Sequence, residues 1–106
     1  MHLATQSTTQ EQIAALWQRN QPRILDRLAL LDAAAAASSS GALDPALQQE
    51  AAGVAHKLAG SLGMFGFHEG TRMARELEQH LGRPAVHAAT LAALTAELRQ
   101  SLFPSK

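Results

Sequence analysis

Apolar residues recur along the chain at steps of three and four, in stretches separated by proline, glycine and serine. That spacing marks amphipathic helices, and no stretch alternates apolar and polar residues as a half-buried strand would. Five helices are expected. The first is short, capped by Ser7, Thr8 or Thr9, with Ser7 and Gln10 at capping-box spacing and a narrow apolar edge of Ile13, Leu16 and Trp17 that leans on a bundle. Asn20-Gln21-Pro22 breaks the chain and opens a second helix, because proline is tolerated in a first turn. Ile24, Leu28, Leu31 and Ala35 form its stripe, with Leu25 at the flank. The alanine run 33–37 carries the helix on, and Ser38-Ser39-Ser40-Gly41 reads as a flexible connection.

Asp44-Pro45 starts the third helix, a capping side chain followed by proline at the first helical position. It runs to about Met64 with Leu47, Ala51, Val54, Leu58, Leu62 and Phe65 on one face. Phe65-Gly66-Phe67 ends it: Gly66 supplies a left-handed turn and the two rings seal the bundle end. A fourth helix spans about His68 to Leu81 on Met73, Ala74, Leu77 and Leu81 and stops at Gly82. Pro84 opens a fifth, with Leu91, Leu94, Leu98 and Leu102, that finishes near Phe103-Pro104. The expected fold is all-α: an antiparallel four-helix up-and-down bundle with an additional N-terminal helix, in a single domain, residues 1–106.

Composition agrees. Of 106 residues, 46% are apolar, mostly alanine and leucine, enough for one helical core. Nine basic and nine acidic residues give zero formal charge, which argues against nucleic acid or an anionic membrane as partner. With no cysteine there is no disulfide, thiolate metal site or catalytic thiol. Residues 1–12 lack the apolar core of a signal peptide, and no apolar run approaches the ~20 residues of a membrane span, so a cytoplasmic protein is expected. The histidines form neither HExxH nor an i, i+4 pair, so no metal site is expected. Nucleotide-phosphate loops and a nucleophile elbow are also missing from the sequence.

One histidine stands apart. On the third helix His56 falls opposite the apolar stripe, and its neighbours on that face are Ala52, Gly53, Ala59, Gly60 and Gly63. A glycine within a helix costs about 0.8–1 kcal/mol relative to alanine. A solvated face has no use for such residues, whereas a ring of missing side chains lets another molecule come down onto the imidazole. Neutral imidazole is a good nucleophile near neutral pH. Glu78, on the flank of the fourth helix, is within reach of it; a carboxylate accepting from Nδ1–H would leave Nε2 as the attacking nitrogen. Pairing with some other surface neighbour accounts for Glu78 equally well. Lys57 and Arg75 can lend positive charge beside a phosphoryl group, or serve only as solvated surface charges.

The run Ala55-His56-Lys57-Leu58-Ala59-Gly60-Ser61-Leu62-Gly63-Met64-Phe65-Gly66-Phe67, followed by Leu77-Glu78, resembles the histidine-containing phosphotransfer (HPt) domain of two-component phosphorelays. The resemblance implies that His56 accepts a phosphoryl group on Nε2 from a receiver-domain aspartate, or from a histidine kinase, and passes it to a response regulator. It implies that Gly60 keeps the approach open and that Glu78 orients the histidine; the small residues Ala52, Gly53, Ala59 and Gly63, with Arg75, are the expected docking face. Partners would be response-regulator receivers and a hybrid histidine kinase, with a monomeric carrier that needs no cofactor of its own; magnesium is expected on the receiver only. Many members carry lysine three residues after the histidine, where this chain has Ala59, so a phosphate-stabilising role does not carry over to Lys57. Two other readings compete: a helical adaptor that docks a receiver or kinase without taking phosphate, and an acid–base or metal-assisted enzyme using His56 and Glu78. The latter needs a pocket that an outward helix face does not provide.

Overall fold

The cap at Asp44 forms as its sequence requires. Its carboxylate accepts a hydrogen bond from the Leu47 amide at 2.7 Å, and the helix begins at Pro45. In the structure, a computed structural model, residues 2–104 are described, with side chains from residue 9 onward. Four helices make up this part of the chain: α1 (His2–Ser39), α2 (Pro45–Met64), α3 (His68–Leu81) and α4 (Ala88–Leu102). Each packs on two neighbours, α1 on α2 and α4, and α3 on α2 and α4. The bundle therefore closes as a square in which the backbones of diagonal helices stay apart and their side chains meet in the centre. Ile24, Leu28 and Leu31 of α1, Leu58 and Leu62 of α2, Leu77 and Leu81 of α3, and Leu91 and Leu98 of α4 fill its centre. No helix among the described residues is long and apolar enough to cross a membrane.

The expected separate N-terminal helix is corrected by the structure. Residues 2–39 form one 38-residue helix with Pro22 inside it. Proline removes one amide donor, which leaves the Gln18 carbonyl without its helical partner. Both Pro22 and Gln18 are exposed, so water can serve that carbonyl, and two residues earlier the Asn20 side chain donates to the Leu16 carbonyl at 2.7 Å. Trp17 before the proline and Ile24 after it both pack on the bundle, so tertiary contact holds the two halves in line. The backbone is already helical at residues 7–9, so no helix starts there; the Ser7 and Thr8 side chains lie outside the described ones. Ile13 and Leu16 are exposed and do not lean on the bundle. At 1.5 Å per residue α1 is about 57 Å long against about 30 Å for α2, and the molecule measures 58 × 27 × 19 Å.

All four aromatic residues meet at one end of the bundle. The Trp17 ring centre lies 5.4 Å from that of Phe65, 4.7 Å from Phe67 and 5.6 Å from Phe103. Gly66 between the two phenylalanines has φ +81°, the left-handed conformation that turns the chain from α2 into α3. At the opposite end the start expected at Pro84 is also corrected: α4 begins at Ala88. Side chains supply partners to the backbone of this linker. Gln48 donates to the Leu81 and Arg83 carbonyls, Ser38 to the Val86 carbonyl, and the His87 amide donates to Nε2 of His80 at 3.1 Å.

Replacing Pro22 with alanine restores an amide to the middle of α1. Pro22→Ala should raise helical ellipticity and stabilise the fold by about 1–3 kcal/mol in thermal or urea unfolding. A proline that merely opened a helix would give no gain.

Candidate functional site

His56 lies midway along α2, opposite the bundle interior, and its side chain is 74% exposed. Its Nδ1 stands 3.0 Å from Oε2 of Glu78 on α3, a carboxylate 37% exposed. An ionised carboxylate can only accept, so the proton between them belongs on Nδ1. Nε2 is left with its lone pair and no hydrogen-bond partner among the described residues. The antiparallel register of the two helices fixes this pairing. Seven residues along α2 and seven back along α3, a Cβ built on Gly63 would lie 3.7 Å from Thr71 Oγ1.

Beside the imidazole is an open groove of about 490 Å³, lined by His56, Ala59, Gly60, Arg75, Glu78 and Gln79. The structure thus brings together His56, Glu78, Gly60, Ala59 and Arg75. It does not bring in the rest. Lys57 is exposed but does not line the groove, Gly53 and Gly63 are exposed elsewhere on α2, and Ala52 is half-buried beside a separate groove with Pro45, Leu81 and Pro84.

Ala59 departs from expectation, since it is buried rather than exposed. Ala51, Ala55 and Ala59 form a ridge at steps of four, adjacent to the leucine stripe, and the buried face of α2 is wide enough to include both. Thr71 of α3 donates to the Ala59 carbonyl at 3.4 Å, which marks the helix that covers this ridge. Gly53 and Gly60 behave differently: a Cβ added at either meets nothing within 4 Å. Packing within the chain does not require them to be glycine.

The charges along α3 are unequal in commitment. Arg72 is paired with Glu69 and Glu76. Hydrogen bonds from Arg72, reinforced by its charge, hold the Glu69 carboxyl below the usual carboxylate range, and Glu69 together with Glu76 raises the guanidinium in turn. Arg75, about one turn before Gln79, makes no hydrogen bond or ion pair among the described residues. Among those residues no three His, Cys, Asp or Glu side chains gather as a metal site would require. Gln79 was missed by sequence reasoning, although its place four residues after Arg75 puts the two on the same face.

Residues 3–102 match the family described as the Hpt domain. The chain belongs to that family. A relative, Protein RcaC of Microchaete diplosiphon, is 35% identical over 109 residues, which covers 95% of this chain and 17% of the relative's length. The chain therefore spans under a fifth of that protein. No solved structure matches at a significant level. Hpt membership implies histidine phosphotransfer in two-component systems, by a carrier without catalytic machinery of its own. In this Hpt domain the groove, the exposed imidazole and the carboxylate behind it lie on the α2–α3 face.

Two measurements check this geometry. Gly53→Ala and Gly60→Ala should each stabilise the Hpt domain by about 0.5–1 kcal/mol, because α2 gains helix propensity and nothing is displaced. Nitrogen-15 shifts of His56 should report the Nδ1–H form as the main neutral tautomer, and Glu78→Ala should return the ring to the Nε2–H form that unpartnered histidine prefers.

Proposed function

We propose that His56 is the phosphoacceptor of this Hpt domain, taking a phosphoryl group on Nε2 from the aspartyl phosphate of a receiver domain, or from a histidine kinase, and passing it to a response regulator. The observation that carries this is an imidazole 74% exposed whose Nδ1 is held 3.0 Å from a carboxylate. In the transfer the Nε2 lone pair attacks phosphorus, the N–P bond forms, and the bond from phosphorus to the aspartyl oxygen breaks with its electron pair leaving on the carboxylate. The ring keeps its Nδ1 proton and becomes positive, and Glu78 compensates that charge. No proton has to be removed from the nucleophile, so no general base is needed.

Glu78 acts as a positioning residue in this scheme. Charge on the phosphoryl group in flight is balanced from the partner's side, where a magnesium ion and a lysine of the receiver are expected. Gly60 and Gly53, which the fold leaves free to be larger, keep the approach open for that partner. Ala52, Gly63 and Lys57 lie on the surrounding α2 surface, and Ala59 and Arg75 in the groove itself.

The chain should acquire an alkali-stable, acid-labile phosphate when incubated with phosphorylated receiver domains. His56→Gln should abolish that label without loss of helical content, and persistent labelling of the variant would remove His56 as acceptor. Gly60→Gln should weaken receiver docking more than tenfold. Retained binding by the wild type with no phosphohistidine at any time would favour the adaptor instead.

A further inference from the structure

The α2 side of the groove offers a phosphoryl group nothing but a methyl group and a bare backbone, Ala59 and Gly60. Lys57, one residue from His56 and so about 100° around the helix, is outside the groove. Every functional group in the groove besides His56 comes from α3: Arg75, Glu78 and Gln79. Glu78 is engaged at Nδ1 and is negative, so it cannot favour a phosphoryl dianion. Three residues along α2 from His56 is Ala59, and three residues back along α3 from Glu78 is Arg75, so the register that pairs His56 with Glu78 sets Arg75 across from Ala59. A methyl group there leaves the long arginine side chain room to lie over the groove.

We propose that Arg75 is the phosphoryl-binding residue of this domain, its guanidinium taking two oxygens of the phosphoryl group on His56 from across the groove. The inference rests on His56 being the acceptor and adds which cation of this chain holds what it accepts. Of the other arginines, Arg72 is paired with Glu69 and Glu76, Arg99 with Asp32, and Arg27 with the Ser61 hydroxyl, while Arg19, Arg23 and Arg83 do not line the groove. Arg75 is uncommitted and beside the nucleophile. A planar guanidinium suits bidentate contact with phosphoryl oxygens better than the ammonium of a lysine does. Loss of the group to water passes through a loose transition state in which those oxygens give up charge. A guanidinium that holds charge on them stabilises phosphohistidine more than that transition state, and so prolongs its life.

The test uses the full chain and phosphoramidate, a small phosphodonor to histidine, so that no partner is involved. Phosphorus-31 NMR follows the phosphohistidine signal, its pH titration and its decay in wild type, Arg75→Ala, Arg75→Gln and Arg75→Lys, with Lys57→Ala alongside. Arg75→Ala and Arg75→Gln should shorten the half-life roughly three- to fivefold, the effect of one well-formed solvent-facing ion pair. They should also move the phosphoryl titration to higher pH, because the dianion loses its counter-charge; Arg75→Lys should fall between, and Lys57→Ala should match wild type. Phosphohistidine at His56 with an unchanged half-life and titration in both Arg75→Ala and Arg75→Gln would overturn the role of Arg75 alone. Absence of any phosphate at His56 in wild type would overturn both readings.

Discussion

The closeness of α2 and α3 is the constraint from which the site follows. Ala51, Ala55 and Ala59 on α2 and Ala74 on α3 are all buried, and residues that small let two helix backbones approach nearer than leucine pairs allow. Beneath them Leu58, Leu62, Leu77 and Leu81 interlock in the centre of the bundle. A slip of one turn would tear those leucines from their places, so the register is fixed by the core and not by the polar pair on the surface. His56 and Glu78 then meet at 3.0 Å because the core holds them there. An exposed ion pair contributes little to stability by itself. Its geometry is imposed on it.

The ends of the bundle serve that same packing. Trp17 stacks among Phe65, Phe67 and Phe103, so the turn between α2 and α3 is held against α1 and the tail of α4. Gly66 lets the chain reverse tightly enough for α3 to return along α2 in register. At the far end Gln48 of α2 donates to the carbonyl of Leu81, the last residue of α3, and to that of Arg83 just beyond it, which ties the same two helices together again. Both ends of the α2–α3 pair are thus fastened, with His56 midway between.

Signals confined to a few residues were legible in the sequence. The Asp44-Pro45 start, the left-handed turn at Gly66 and the span His68–Leu81 each depend on local backbone chemistry, and all three appear in the fold. Where tertiary contact overrode a local rule, the sequence misled. Pro22 breaks an isolated helix, but packing of Trp17 and Ile24 on either side keeps α1 continuous. Pro84 is a fair helix opener, yet the linker finds side-chain partners and α4 waits until Ala88. His80, polar by type, is buried because its Nε2 accepts from the His87 amide, a contact that no periodicity reveals. The exposed histidine and its small neighbours were visible from spacing alone; that Ala59 is covered was not, because a helical wheel does not say how wide a face its neighbour buries.

The placement of Glu78 also bears on what the site does not do. Nδ1 and Nε2 lie on opposite sides of the imidazole ring, and the carboxylate is at Nδ1. It stands away from any phosphorus carried on Nε2, where it has no reach to activate a water for attack. It can compensate the ring's positive charge while contributing nothing to hydrolysis. The site is open to solvent, so charges within it act across a high dielectric and stabilise a transition state weakly. If His56 is the acceptor, a partner that covers the groove, excludes water and supplies its own charges is what would make transfer fast. An exposed nucleophile, a carboxylate on its far side and glycines that the fold has no need of are together what a carrier requires: it must be easy to reach and slow to act alone.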